Sequence, residues 1–166
     1  MNEHAAIYTL KEMVAVRQAL AKDGKRLVAT NGCFDIIHPG HVASLEWARA
    51  RGDALLVLIN DDASVARLKG AERPIQTLSE RMAVLCGLRS VSFVVPFSED
   101  TPQAAYAALV PDVLVKGSEY AGRDIAGARE VEAAGGSVAL CPILPGNATS
   151  TIIERIVRRY VKDPVQ

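Results

Sequence analysis

The stretch 27–51, LVATNGCFDIIHPGHVASLEWARAR, constrains this chain more than any other. Leu27, Val28 and Ala29 form an apolar run that Thr30, Asn31 and Gly32 break, as a strand end followed by a tight turn does. From Val42 the apolar residues Val42, Leu45 and Ala48 recur at helical spacing, Trp47 widens the stripe and Gly52 supplies a stop, so a helix begins near His41. Between strand and helix stand His38, Pro39, Gly40 and His41. Pro39 has no amide hydrogen to leave unpaired in a first helical turn, and Gly40 lets a ligand approach the backbone. Free amides, the positive end of a helix dipole and two imidazoles make this turn an anion site, suited to phosphate. Two other readings of the histidines stay open on the residues alone. Such a pair can ligate a metal, although no third ligand of the HExxH kind follows and the cysteines are distant in sequence; alternatively, both rings can serve as caps or core.

Composition narrows the class of ligand. At 166 residues with 49% hydrophobic content the chain suits one domain with a proper core. Lys plus Arg number 19 and Asp plus Glu number 19, so the net charge of zero offers no basic field for a nucleic-acid backbone, and small ligands are expected instead. Cys33, Cys86 and Cys141 are odd in number and irregular in spacing, which argues against a disulfide scaffold and fits a reducing, cytoplasmic setting. Within the turn, Cys33 is expected to fill space rather than react. No window approaches the roughly 18 apolar residues needed to span a bilayer, and no export segment is evident, so no membrane partner is expected.

Taken in order, the chain alternates strands with helices. Thr9 and Glu12 match a capping box opening a leading helix, with Leu10, Met13, Val14 and Leu20 as its apolar stripe and an end near Gly24. Residues 54–59 form a second strand, parallel to the first, ending in Asn60, Asp61 and Asp62. Ligands of such units lie beyond the C-terminal ends of the strands, which places these three beside the histidine turn. A short helix over 64–68 leads into the charged loop 69–74, expected to be mobile, without packing, and able to carry Lys69 and Arg73 to phosphates. Thr77 and Glu80 form a second capping box, and its helix runs through Met82, Leu85 and Leu88. Arg81 in its first turn opposes the dipole, so it should point into solvent or be compensated by a ligand phosphate. A third strand over 91–95, a helix capped within 98–102 and ending near Leu109, and a fourth strand over 113–115 follow, with Lys116, Gly117, Ser118, Glu119 and Tyr120 at the ligand edge. A helix over 127–134, a fifth strand over 138–141 and a last amphipathic helix capped by Thr149 and Ser150 complete the pattern. Without a repeat or linker, the alternation predicts one α/β domain built on a doubly wound five-stranded parallel sheet.

The run Gly32-Cys33-Phe34-Asp35-Ile36-Ile37-His38-Pro39-Gly40-His41 resembles the GxFDxxHxGH signature of the cytidylyltransferase-like nucleotidyltransferases, which implies their Rossmann-like fold. Arg67-Leu68-Lys69-Gly70 with Arg73-Pro74, the segment 99–102 and the segment 111–117 resemble one branch, the bacterial heptose 1-phosphate adenylyltransferases, and the likeness runs over 9–156. In many bacteria that activity is the C-terminal half of a bifunctional enzyme with an N-terminal sugar kinase; this chain has no room for the kinase and looks like a stand-alone form. The resemblance implies transfer of the adenylyl group of ATP to D-glycero-β-D-manno-heptose 1-phosphate, giving ADP-heptose and pyrophosphate for the lipopolysaccharide core. Mg²⁺ would bridge the triphosphate, and no residue is assigned as a metal ligand. By the same resemblance His38, His41 and Lys69 are catalytic; Gly32, Cys33, Phe34, His38, His41, Lys116, Gly117, Thr149 and Ser150 bind nucleotide; and Asp35 and Arg81 contact the substrate, to which Asp62 is added from its place at the end of the second strand, a solvated helix cap being its other reading. ATP and heptose 1-phosphate are the implied partners, with a homo-oligomer open.

The segment 146–150 departs from the pattern: Asn147 stands where many relatives carry a cation, and Ala148 where they carry a hydroxyl. This implies a weakened but working nucleotide site. Another sugar- or alcohol-phosphate nucleotidyltransferase, such as a glycerol-3-phosphate cytidylyltransferase, shares the first signature. A non-catalytic nucleotide-binding module is a third reading, against which the intact His38, His41 and Lys69 count.

Overall fold

Leu27, Val28 and Ala29 are all fully buried, and their alternation sends Leu27 and Ala29 to one face of a sheet and Val28 to the other. The computed structural model describes residues 5–161. In chain order the elements are β1 (Ala6–Ile7), α1 (Leu10–Lys22), β2 (Leu27–Gly32), α2 (Pro39–Arg49), β3 (Ala54–Asn60), α3 (Asp62–Lys69), α4 (Leu78–Cys86), β4 (Phe93–Phe97), α5 (Gln103–Leu109), β5 (Val113–Gly117), α6 (Ala128–Ala133), β6 (Ser137–Cys141) and α7 (Thr149–Tyr160). One sheet of order β1-β4-β3-β2-β5-β6 joins all six strands, and every pairing is parallel.

The sheet therefore has six strands where the sequence predicts five. The addition, β1, pairs Ala6 with Phe93 and Ile7 with Val94. Two residues carry no periodicity to read, and the strand exists only because the outer side of β4 is free to pair. A smaller shift concerns β4, expected over 91–95 and found at Phe93–Phe97. Val91 still belongs to the turn after α4, its amide donating to the Leu88 carbonyl at 3.0 Å. Pro96, unexpected inside a strand, lies beyond the end of β1 where β4 has a single neighbour.

Both capping boxes form: Thr9 and Thr77 each accept from the amide three residues on, while Glu12 and Glu80 accept from the cap amides at 2.8 Å. Strand β3 is buried along its whole length, as a central parallel strand covered on both faces must be. On one face Leu56, Leu58 and Leu114 pack with Met13 of α1, Tyr106 and Leu109 of α5 and Val131 of α6. Leu55, Val57, Ile59 and Val115 pack on the other with Leu45 and Ala48 of α2 and Leu85 of α4. Chain order runs outward from β2 through β3 to β4, then crosses to β5 on the opposite side of β2. That reversal opens a crevice beyond the C-terminal ends of β2 and β5, and α2 begins at its rim.

Candidate active site

Phe34 directly after the end of β2 has φ 48°, in the left-handed region, and its ring folds back so closely that a Cβ on Gly32 would meet it at 3.0 Å. A side chain at position 32 would therefore push that ring aside by a few tenths of an ångström, and glycine leaves it in place. The buried ring then supports His41, with centroids 5.2 Å apart. His38 is the N-cap of α2 and Pro39 its first residue, the placement proline tolerates best. Nδ1 of His38 accepts from the His41 amide at 3.3 Å, which leaves Nε2 as the protonated, donating nitrogen. The two imidazoles stack, 3.7 Å between centroids and 23° between planes. Nδ1 of His41 is buried without a hydrogen-bond partner.

Burial, more than the stack itself, sets the charge state. Burial, then the proximity of His38, drive His41 down to about 4, while the Ile36 carbonyl pulls weakly upward without reaching hydrogen-bond geometry. Burial also lowers His38. Both rings are thus neutral donors at physiological pH, held over the amides at the start of α2. The capping reading of His38 holds for one nitrogen, and the other remains open to a ligand.

Asp35 lies beneath this turn rather than open to it, 1% exposed. Its carboxylate accepts from the amides of Ile75 and Gln76 at 2.9 Å and from Nε of Arg73 at 2.5 Å. Burial pushes its pKa up, but the two amides and the Arg73 guanidinium together outweigh this and hold it below the usual carboxylate range. The expectation of a loop without packing over 69–74 is thereby corrected at its far end: Arg73 is pinned by Asp35, while Lys69, Gly70, Ala71 and Glu72 are exposed.

The expectation for Arg81 is also corrected, since it neither points into solvent nor depends on a ligand phosphate. It is fully buried, donating from Nη1 to the carbonyls of Cys33 at 2.7 Å and Asn60 at 2.8 Å and from Nε to the Gln76 carbonyl at 3.1 Å. Nη2 pairs with Asp62 at 2.6 Å, the aspartate side chain remaining 47% exposed. Carbonyl dipoles and one carboxylate offset the cation, and a single side chain ties together the turn after β2, the end of β3 and the start of α4. Cys33 sits against this cluster, its Sγ 3.9 Å from Oδ1 of Asn60. Burial pushes its thiol up against the opposing pull of Lys69, Arg81 and Arg73, the behaviour of a space-filling cysteine.

On the β5 side Lys116 donates to Oδ1 of Asn31 at 3.0 Å and lies 4.3 Å from the centre of the Tyr120 ring; burial lowers its pKa. Tyr106, fully buried, donates to the same Asn31 oxygen at 3.1 Å. A Cβ on Gly117 would run into the Glu119 carboxylate. Asn31 and Tyr106 are not legible as site residues in the sequence, because Tyr106 reads as ordinary helix core and only the sheet brings it under Asn31; Tyr120 lies at the ligand edge, as expected.

The loop after β6 closes over the histidine turn. A Cβ on Gly40 would meet Asn147 at 3.1 Å, and Thr149 Oγ1 donates to the Ile36 carbonyl at 3.4 Å. Asn147 turns its amide back to the Pro145 carbonyl at 3.0 Å. Thr149 and Ser150 do not cap α7, contrary to expectation: Ala148 is the N-cap and makes no side-chain bond, so no hydroxyl takes up the first-turn amides. His38, His41, Gly32, Cys33, Phe34, Asp35, Asp62 and Arg81 are thus gathered at one turn, Lys116, Gly117 and Thr149 flank it, and Lys69 and Ser150 are exposed. Near the end of β4 a cavity of about 350 Å³ is lined by Leu78, Phe97 and Glu99 among others, and of the residues expected beside the histidine turn only Asp61 borders it.

Residues 29–153 match the model of a family described as cytidylyltransferase-like. The bifunctional protein HldE of Halorhodospira halophila is 57% identical over 147 residues, covering 89% of this chain and 31% of that protein. HldE of Alkalilimnicola ehrlichii is 59% identical over 133 residues, covering 80% of this chain and 28% of the relative. The chain thus spans about 30% of the length of the curated relatives it matches. Among solved structures, the lipopolysaccharide core biosynthesis protein from Thermoplasma volcanium superimposes with a TM-score of 0.60 at 27% identity, over 75% of this chain and 100% of that one. A pantoate-beta-alanine ligase from Francisella tularensis, 14% identical with a TM-score of 0.61 over 97% of this chain and 82% of its own, shares the fold. With that family model matched over residues 29–153, which include the turn from β2 into α2 and most of the sheet, the chain belongs to the cytidylyltransferase-like family.

Proposed function

We propose that this chain transfers the adenylyl group of ATP to D-glycero-β-D-manno-heptose 1-phosphate, releasing pyrophosphate and giving ADP-heptose for the lipopolysaccharide core. The observation that carries the chemistry is the stacked pair of neutral imidazoles over the start of α2. The likeness to HldE proteins, 57% over 147 residues, supports the choice of substrates. A phosphate oxygen of the sugar phosphate attacks the α-phosphorus as the bond from that phosphorus to the β-phosphate bridging oxygen breaks. The step demands alignment and charge stabilisation more than covalent help from the protein.

In this reading Nε2 of His38, the His41 ring and the α2 amides donate to the transferring phosphate, where charge builds up. Lys69 holds phosphate oxygens from the exposed end of α3. Gly32, Cys33 and Phe34 present backbone to the nucleotide, with Lys116, Gly117, Thr149 and Ser150 on its far side. Asp35 and Arg81 act on the substrate through the loops they hold, and Asp62 offers its exposed oxygen. No cluster of three His, Cys, Asp or Glu side chains able to hold a metal occurs among the described residues. Mg²⁺ would arrive on the triphosphate and would supply charge neutralisation there. No helix among the described residues is long and apolar enough to cross a membrane. We place the activity in the cytoplasm, where ATP is available, and expect small phosphorylated molecules rather than nucleic acid as its substrates.

A pyrophosphate-release assay of each nucleoside triphosphate against heptose 1-phosphate, glycerol 3-phosphate and other sugar phosphates tests this. Release with ATP and heptose 1-phosphate alone is expected. Preference for CTP with glycerol 3-phosphate would reassign the substrates, and nucleotide binding without release from any pair would make the chain a binding module.

A further inference from the structure

The carboxamide of Asn31, at the C-terminal end of β2, is held by its oxygen alone. Lys116 donates to Oδ1 at 3.0 Å, and the Tyr106 hydroxyl donates to the same atom at 3.1 Å. An ammonium has no lone pair to offer, so the atom facing Lys116 must be the oxygen, and chemistry dictates which way the amide is turned. Tyr106 is fully buried, and a Cβ on Gly127, the N-cap of α6, would meet its Cβ at 2.5 Å, so the ring has no room to swing. Nδ2 is left on the other side of the carboxamide. Among the described residues it makes no hydrogen bond, and the buried side-chain atoms without a partner are Nδ1 of His41 and Oε1 of Gln76, so this donor reaches solvent at the crevice.

Its flank decides what it meets. Asn31 shares the sheet face of Leu27 and Ala29, beneath Tyr106 of α5, whereas Phe34 and Leu45 of α2 lie on the face of Val28. The imidazoles and the α2 amides therefore stand on one side of the end of β2, with Nδ2 of Asn31 and the Lys116 ammonium on the other. The Glu119 carboxylate, which favours the charged form of Lys116, is exposed and packs against Gly117. In a displacement at phosphorus the attacking and leaving oxygens lie roughly in line on opposite sides of it. With the transferring phosphate over α2, a second phosphorylated reactant approaching from the β5 side meets Asn31. A free N–H group beside an ammonium suits a phosphate oxygen, which can only accept.

We propose that Nδ2 of Asn31 donates to the phosphate of the attacking sugar phosphate, with Tyr106 as the positioning residue that keeps the carboxamide oxygen turned away. This contact rests on the nucleotidyl transfer proposed above, whichever sugar carries the phosphate. Steady-state pyrophosphate release from ATP and heptose 1-phosphate tests it. Asn31→Asp keeps an oxygen for Tyr106 and Lys116 and replaces only the N–H group. It should melt near the wild-type temperature and raise the KM for heptose 1-phosphate by about tenfold or more, with the KM for ATP changed by less than about twofold. Asn31→Ala, which adds no charge, should raise the same KM less, and it decides the matter if Asn31→Asp does not fold. Tyr106→Phe should raise that KM by about threefold and leave the KM for ATP in place, a split that a merely structural tyrosine would not produce. An unchanged KM for the sugar phosphate in folded Asn31→Asp would leave Asn31 a core acceptor and overturn the proposal, as would a rise confined to ATP. A wild type that uses another sugar phosphate would revise the substrate, and the same comparison made with that acceptor still judges the contact. Release from no pair in the wild type would sink the transfer and the contact together.

Discussion

In the proposed reaction the two neutral imidazoles stacked over a helix N-terminus would act by donating hydrogen bonds, and His38 has its donor fixed because Nδ1 is occupied by the His41 amide. Replacing His38 with Ala should lower turnover more than ATP affinity, by about 2–4 kcal/mol in the transition state, the range for removing one preorganised donor. Steady-state kinetics with calorimetric ATP titration checks it; unchanged turnover with a raised KM for ATP would leave His38 a binding residue only. His41 makes a second prediction through pH. Its folded value of about 4 lies below the ordinary histidine value of 6.5, so in that window the unfolded chain binds a proton that the folded one refuses. Stability should fall as pH drops from 6.5 toward 4, by on the order of 3 kcal/mol over the whole window. Urea unfolding of the wild type and His41→Ala across this range should show a shallower slope for the variant, and equal slopes would mean the buried ring is not the cause.

At the level of elements, the 69–76 connection divides into two parts. Its far end is clasped under the histidine turn by Asp35, through Arg73 and the amides of Ile75 and Gln76, while the Lys69 end has exposed side chains. Amide exchange should therefore be slow at Ile75 and Gln76 without ligand, and should slow over 69–72 only on addition of ATP with Mg²⁺. In Asp35→Asn, with its charge removed, exchange at Ile75 and Gln76 should quicken while circular dichroism stays the same. Exchange at these amides as fast as over 69–72 in the wild type would refute the clasp. Such a division was beyond the sequence, where Arg73 reads as one more cation in a charged loop. Asp35 and Arg73 are far apart in the chain, and nothing in their local patterns says that one will be buried against the other.

For the molecule as a whole, Arg81 is the point where the turn after β2, the end of β3 and the start of α4 meet. Arg81→Met should cost about 3 kcal/mol, the low end for breaking a buried pair, because Asp62 is half exposed and can hydrate when its partner is gone. A urea midpoint unchanged from the wild type would show that the carbonyls find other donors. The sequence by itself determined the parallel α/β order, both capping boxes and the histidine turn, since each rests on spacing within a few residues and on the apolar runs of β2 and β3. Tertiary structure alone decided the rest. The two-residue β1 forms only against the free side of β4, and Arg81 becomes a buried strut only when three separate chain segments bring their carbonyls to one place. Asn31 likewise acquires Tyr106 and Lys116 as donors only through the crossing from β4 to β5. Such features depend on contacts between residues distant in the chain, and local periodicity, capping and dipole rules do not encode those contacts.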